Sequence, residues 1–201
     1  MKRSTRNPAK TKQTIIERSA PVFNVHGFAG TKMQMLVDAT GYQMGGIYKH
    51  FGTKLDLAIA VFDYNYTILI RKTLEVDPNL ESKEQVLAML LSCKSMVARP
   101  TIKGGCPILN TAIESDDTNP RLRELAKSRL KEVCTAIEMI LTQGIENGQF
   151  NNSIDPKSEA LYIVATIEGA IMIGNLLKSA AAVFGIFDTL EQYLARNIFH
   201  I

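Results

Sequence analysis

The sequence predicts an all-α protein of about nine helices, and three observations carry that reading. Apolar residues recur three and four apart through most of the chain, as at Val86, Leu90, Cys93 and Val97, which is the period of a half-buried helix. Helix starts are marked by capping pairs, as at Thr53 with Asp56, or by an N-cap followed by proline, as at Asp155-Pro156. No stretch reads as a strand. With 201 residues, 46% hydrophobic and 21% charged, there is apolar material for one large core or two unequal ones.

The elements follow in order. Residues 1–10, MKRSTRNPAK, read as a basic polar arm. Helix 1 opens at Thr11 or Lys12 and turns Ile15, Ile16, Ser19, Ala20 and Phe23 to a core. Pro21 removes an intrahelical hydrogen bond, which predicts a bend between Glu17 and Pro21. Gly27 ends the helix and Phe28 returns to the core. Thr31 is placed to cap helix 2, with Met33, Leu36 and Val37 inward. Helix 3 spans about Gln43 to His50. Thr53 caps a long helix 4 that stops before Pro78, and Ser82 with Gln85 forms a second capping pair for helix 5, which ends near Arg99. Pro100 and Gly104-Gly105 separate it from helix 6, Cys106 to Ser115. Asn119-Pro120 opens helix 7, Asp155-Pro156 opens helix 8, which runs to about Lys178, and helix 9 starts near Phe187, after Gly185.

The stretch Thr40 to Phe51, TGYQMGGIYKHF, organises the rest. A turn containing glycine between two short helices describes a helix-turn-helix. Ile47 and Phe51 fall on one side of helix 3, while Gln43, Met44, Tyr48 and Lys49 fall on the other. Amides and apolar groups suit base edges, and a phenol and an ammonium suit phosphates. Gly45 and Gly46 each cost a helix about 1 kcal/mol relative to alanine, so the stretch is either a loop or a helix whose backbone must lie close to DNA. Thr31 followed by Lys32 at a helix N-terminus groups a hydroxyl, an ammonium and free N–H donors, a ready phosphate site. The charge agrees: residues 1–60 hold nine Lys and Arg against three acids, whereas the remainder is net −3.

Other chemistry is missing from the sequence. His26, His50 and His200 are scattered without ligand spacing, so no metal is expected, and neither a nucleophile motif nor a phosphate-binding glycine loop points to catalytic residues or a cofactor. Cys93, Cys106 and Cys134 are odd in number and lack C-x-x-C spacing, which fits a reducing cytoplasm. No apolar run follows the basic N-terminus, arguing against a signal peptide. Leu161 to Leu177 is apolar enough to raise a membrane span, but Glu168 and Asn175 inside it favour a helix buried against protein.

Thr11 to Val61 resembles the DNA-binding domain of the tetracycline-repressor (TetR) family of bacterial transcription regulators. The resemblance rests on Phe23, Gly27, Phe28, Thr31, Ala39, Gly41, Gly45, Tyr48, His50, Phe51, Lys54 and Leu57, with Tyr48-Lys49-His50-Phe51 and Lys54 its most diagnostic part. It implies a helix-turn-helix DNA-binding domain over 11–58 and an effector-binding and dimerisation domain over 59–201. Carried over by position, Thr31, Tyr48, His50 and Lys54 look like backbone contacts, beside Lys32, while Gln43, Met44, Gly45 and Lys49 face bases. Met44 stands where relatives often carry lysine and Gly46 where they often carry a hydroxyl, so a phosphate or base contact is either lost or replaced by apolar contact, as with a thymine methyl. GGCPILNTAIE and EGAIMIG are similar to one branch of the family.

In the body, Ala165 with Gly169 and Ala170 with Gly174 place small residues four apart on helix 8, which with helix 9 suits a two-fold homodimer. Phe62, Tyr66, Met89, Cys93, Met96, Cys106, Asn110, Cys134, Glu168 and Met172 are candidates for a pocket holding a mostly apolar small-molecule effector. The expected function is a cytoplasmic, ligand-responsive transcription regulator, a repressor, on a pseudo-palindromic operator in double-stranded DNA. Its alternatives are a redox sensor switching through Cys93 and Cys106, and a helical interaction module that binds no DNA.

Overall fold

A computed structural model describes residues 7–200; residues 1–6, most of the expected basic arm, lie outside the described residues. Nine helices form among them. They are α1 (Pro8–Gly30), α2 (Met33–Thr40), α3 (Met44–Phe51) and α4 (Lys54–Tyr66, continued by a π-helical stretch at Thr67–Arg71 and a last α-turn at Lys72–Leu74). They continue with α5 (Ser82–Ala98), α6 (Pro107–Ser115), α7 (Pro120–Glu146), α8 (Pro156–Leu177) and α9 (Ala180–Asn197). The β-pairing among the described residues is one isolated bridge, Phe150 with Phe199, whose rings stack at 5.2 Å.

Contacts divide the chain into two compact units. One holds the residues up to Thr67 together with Ile102–Leu125; the other holds Ile68–Thr101 and the residues from Ala126 onward. Segment 102–125 therefore joins the N-terminal helices although it is distant in sequence.

In the first unit α1 packs on α2, α4 and α6, and α3 packs on α2 and α4. Ile15, Leu36, Ile47 and Leu57 are fully buried there, each contributing about 1.5–3 kcal/mol of hydrophobic stabilisation. Helix α1 begins at Pro8, earlier than Thr11 or Lys12, because the Asn7 side chain accepts from the Ala9 and Lys10 N–H groups and Pro8 has φ preset for a first helical position. The helix runs on through Pro21 with helical torsions, and inside α1 they depart at Gly27 (φ 68°, ψ −179°). Pro21 is exposed, so water can serve the carbonyl left without a donor. The cap of α2 also differs. Lys32 holds the N-cap position, and the buried Thr31 directs its hydroxyl to the Gly27 carbonyl at 2.6 Å. Arg18 donates to the Thr40 carbonyl at 2.9 Å, tying the end of α2 to α1 before the left-handed Gly41.

In the second unit α9 packs on α8 and α5. Helix α5 is capped one residue early, with the Glu81 N–H donating to the Glu84 carboxylate at 3.2 Å, while Ser82 is buried and Gln85 donates to the Leu80 carbonyl. Helix α9 starts at Ala180 and not near Phe187, because the Ser179 hydroxyl accepts from the Ala182 N–H. Gly185 lies within it, on the exposed side. Helix α8 opens as expected, with Asp155 accepting from the Ser158 N–H at 3.2 Å. Its mean hydropathy reaches 1.7, yet only 22% of its apolar window is buried within the chain. One side packs on α9, and the other carries the exposed Leu161, Ala165, Met172 and Leu176.

Candidate nucleic-acid interface

Helix α3 separates cleanly into two sides. Ile47 and Phe51, four apart, are buried, while Gln43, Met44, Gly45, Tyr48 and Lys49 are exposed. Met44 at 42% and Tyr48 at 37% exposure are large apolar groups left in water on a two-turn helix. A Cβ placed on Gly45 or Gly46 meets no atom within 4 Å. Nothing inside the chain requires glycine at either position, so the helix propensity they sacrifice has no return in packing.

The flanking candidates are placed differently from one another. Lys32 and Lys49 are exposed, His50 is half-buried, and Thr31 is buried with its hydroxyl engaged. Lys54 is half-buried with its ammonium 4.6 Å from the Phe28 ring centroid. Burial lowers its pKa, against which the nearby Glu114 carboxylate acts. The base of α4 is fixed by Thr53, whose hydroxyl accepts from the Asp56 N–H and donates to the Asp56 carboxylate. That hydroxyl is the main reason the Asp56 carboxyl is held below its ordinary range, with Arg121 at 3.2 Å adding to it.

The effector candidates fall in both units. Phe62, Tyr66, Cys106 and Asn110 belong to the first, and Met89, Cys93, Met96, Cys134, Glu168 and Met172 to the second. Phe62 and Asn110 line one cavity with Asn24, Asn65 and Thr111. Its volume of about 30 Å³ admits a water or two, well short of the roughly 300 Å³ at which small-molecule pockets begin. Tyr66, Cys106 and Met89 are buried, Met96 is half-buried, and Met172 is 52% exposed on the outer side of α8, away from an inward-facing pocket. Cys93 lies near Thr73 and Glu168, and burial is the first cause of its raised pKa; burial also raises that of Cys134. Raised thiol pKa values lower the reactive thiolate fraction and weigh against a redox switch at Cys93.

One cluster has no signature in the local sequence pattern. Where α1 breaks at Gly27, the Phe28 and Ala29 N–H groups each donate to the Glu114 carboxylate at 2.7 Å. The Asn24 carbonyl accepts from the Asn110 amide at 3.2 Å, and the Asn24 amide donates to the Lys103 and Gly105 carbonyls. The only local hint is the four-residue spacing of Asn110 and Glu114, which puts both on one face of a helix.

Known proteins share this fold. Residues 15–61 match the model of the bacterial regulatory proteins of the tetR family, and residues 82–189 match the tetracyclin repressor-like C-terminal domain. A TetR transcriptional regulator from Chloroflexus aurantiacus J-10-FL is 36% identical and superposes with a TM-score of 0.91, covering 98% of this chain and 100% of that one. One from Cytophaga hutchinsonii is also 36% identical, with a TM-score of 0.82 and 98% of each chain covered. The regulator TtgR of Pseudomonas putida is 24% identical over 191 residues, 92% of this chain and 90% of the relative. With both halves matched and near-complete overlap with a solved regulator, this chain belongs to the TetR family of transcriptional regulators, which are DNA-binding and not enzymes.

Proposed function

We propose that the chain acts as a homodimeric, effector-responsive repressor in the cytoplasm and binds a pseudo-palindromic operator. The observation that carries this reading is the outer side of α3, where exposed Gln43, Met44, Tyr48 and Lys49 surround two glycines with open space above them. In this reading Gln43, Met44, Gly45 and Lys49 face base edges, and Tyr48, His50, Lys32 and Lys54 meet phosphates. Thr31 takes part through its backbone, its hydroxyl being bonded to Gly27. The α2 N-terminus adds oriented N–H donors.

A second copy of the chain covers the exposed side of α8, which explains why so apolar a helix is left in water by its own chain. Ala165 and Gly169 lie on that side, and the Gly169 Cβ direction is open. Ala170 and Gly174, the other small pair, pack inward. A two-fold dimer through α8 and α9 presents two α3 helices to successive major grooves about 34–36 Å apart. A mostly apolar effector then acts by binding preferentially to a form in which that spacing is lost.

Titration of promoter duplex at several salt concentrations tests the reading. Lys54→Ala is expected to weaken binding to every sequence and to flatten the salt dependence, whereas Gln43→Ala changes which operator is preferred. Unchanged affinity and slope for Lys54→Ala would remove Lys54 from the phosphate contacts.

A further inference from the structure

We propose that Glu114, which lies on α6 and outside the helix-turn-helix sequence, is a positioning residue for DNA binding: its carboxylate sets the turn that presents Lys32 and the start of α2. The inference rests on the reading of α2 and α3 as the DNA-contacting elements.

The break in α1 creates the need for such a residue. In an unbroken helix the Phe28 N–H would donate to the Asn24 carbonyl four residues back. Gly27, at φ 68°, turns the chain out of the helix and separates that donor from that acceptor. Two side chains one turn apart on α6 serve them instead. The Asn110 amide donates to the Asn24 carbonyl at 3.2 Å, and Glu114 accepts from Phe28 N–H and Ala29 N–H at 2.7 Å each. Each carboxylate oxygen takes one amide, so the fit depends on two equivalent acceptors on one rigid group. These are charge-assisted bonds, shorter and stronger than neutral ones.

Gly27 and Glu114 are matched. A Cβ at position 27 would lie 2.6 Å from Oε2 of Glu114, and φ 68° would strain it in any case. The fit continues along α6: Asn110 also donates to the Gly104 carbonyl at 2.7 Å, and Gly104 approaches Asn24 closely enough that a side chain there would strike its carbonyl. The run GGCPILNTAIE is thereby seated on the end of α1.

The clasp bears on DNA through its neighbours along the chain. Three residues after Ala29 comes Lys32, at the N-cap position of α2, and Thr31 closes the turn through its bond to Gly27. Lys54 lies over Phe28, the residue whose N–H Glu114 holds. Loss of the clasp frees two N–H groups and lets the turn reorient, moving the phosphate-facing groups together.

The test uses the full chain and a promoter duplex. Operator affinity, its salt slope and amide exchange at Phe28 and Ala29 are measured for the wild type, Glu114→Ala and Glu114→Gln. Ile108→Val, a buried change on the same helix, controls for lost stability. Glutamine keeps the shape but sets an NH2 group against one of the two N–H donors, so it is expected to behave like alanine. The expected result is faster exchange at both amides, affinity reduced about tenfold, and a salt slope shallower by about one phosphate per half-site, with the slope unchanged in Ile108→Val. A wild type that binds duplex while both Glu114 variants retain its affinity and slope overturns the positioning role and leaves the DNA-binding reading intact. A wild type that ignores duplex at low salt overturns that reading itself, and this inference with it.

Discussion

A Cβ placed on Gly45 of α3 meets no atom within 4 Å, whereas one placed on Gly174 of α8 runs into Val183 of α9. Both glycines sit inside helices and both cost the same helix propensity. Gly174 is explained by its own chain, since it lets α9 pack closely. Gly45 has no such explanation in packing, since a side chain there would meet open space. Helix α8 contains both kinds: Ala170 and Gly174 face inward, while Ala165 and Gly169, on the same spacing, face outward. A small residue in a helix thus distinguishes an internal contact from an external surface once its surroundings are known.

The largest expected effect lies at the outer side of α8. Gly169→Glu combined with Leu176→Glu is expected to yield folded monomers by sedimentation, with operator affinity reduced about 10²–10⁴-fold as the second half-site contact is lost. A dimer that persists would remove α8 as the interface. Gly174→Ala should instead leave assembly to the folding equilibrium and destabilise the chain by about 1–3 kcal/mol through overpacking against Val183, measured by denaturant unfolding. Gly45→Ala should do the reverse of Gly174→Ala. It is expected to stabilise α3 by about 1 kcal/mol while weakening operator binding by about tenfold or more; a stabilised variant with full affinity would show that DNA does not approach the backbone there.

The smallest expected effect is in acid. Asp56 and Asp155 are held below their ordinary carboxyl range, first of all by the Thr53 and Ser158 hydroxyls. A carboxyl with a lowered folded pKa adds stability above its unfolded value and loses it as pH falls through the folded one. The N-termini of α4 and α8 should therefore loosen below about pH 4, detectable as faster amide exchange in their first turns. Thr53→Ala should weaken that pH dependence at α4, leaving the part due to Arg121, and cost about 1 kcal/mol at neutral pH.

How much of the molecule is legible in the sequence depends on the range of the interaction that fixes each part. The helix count, the two-sided character of α3 and the starts at Thr53, Asn119-Pro120 and Asp155-Pro156 rest on contacts within a turn or two. Two helix starts are hidden by stronger-looking signals: Pro8 follows a capping Asn7 inside a run that reads as a basic arm, and Ser179 caps α9 ahead of Gly185, which reads as a break. The Glu114 clasp joins groups 85 and 86 residues apart, beyond the reach of any local pattern. The effector candidates are the least legible, because a buried Met, Phe or Cys has the same helical spacing whether it lines a pocket or fills a core. Asn110 shows the difficulty, since its amide donates to two backbone carbonyls.

The most direct test is the stoichiometry of the chain on its own upstream duplex at low ionic strength, read by sedimentation or native mass measurement. Two chains per operator, with protection in two patches one helical turn apart, is the predicted result. A single subunit that leaves the duplex unbound, or binds it without defined protection, would contradict the account.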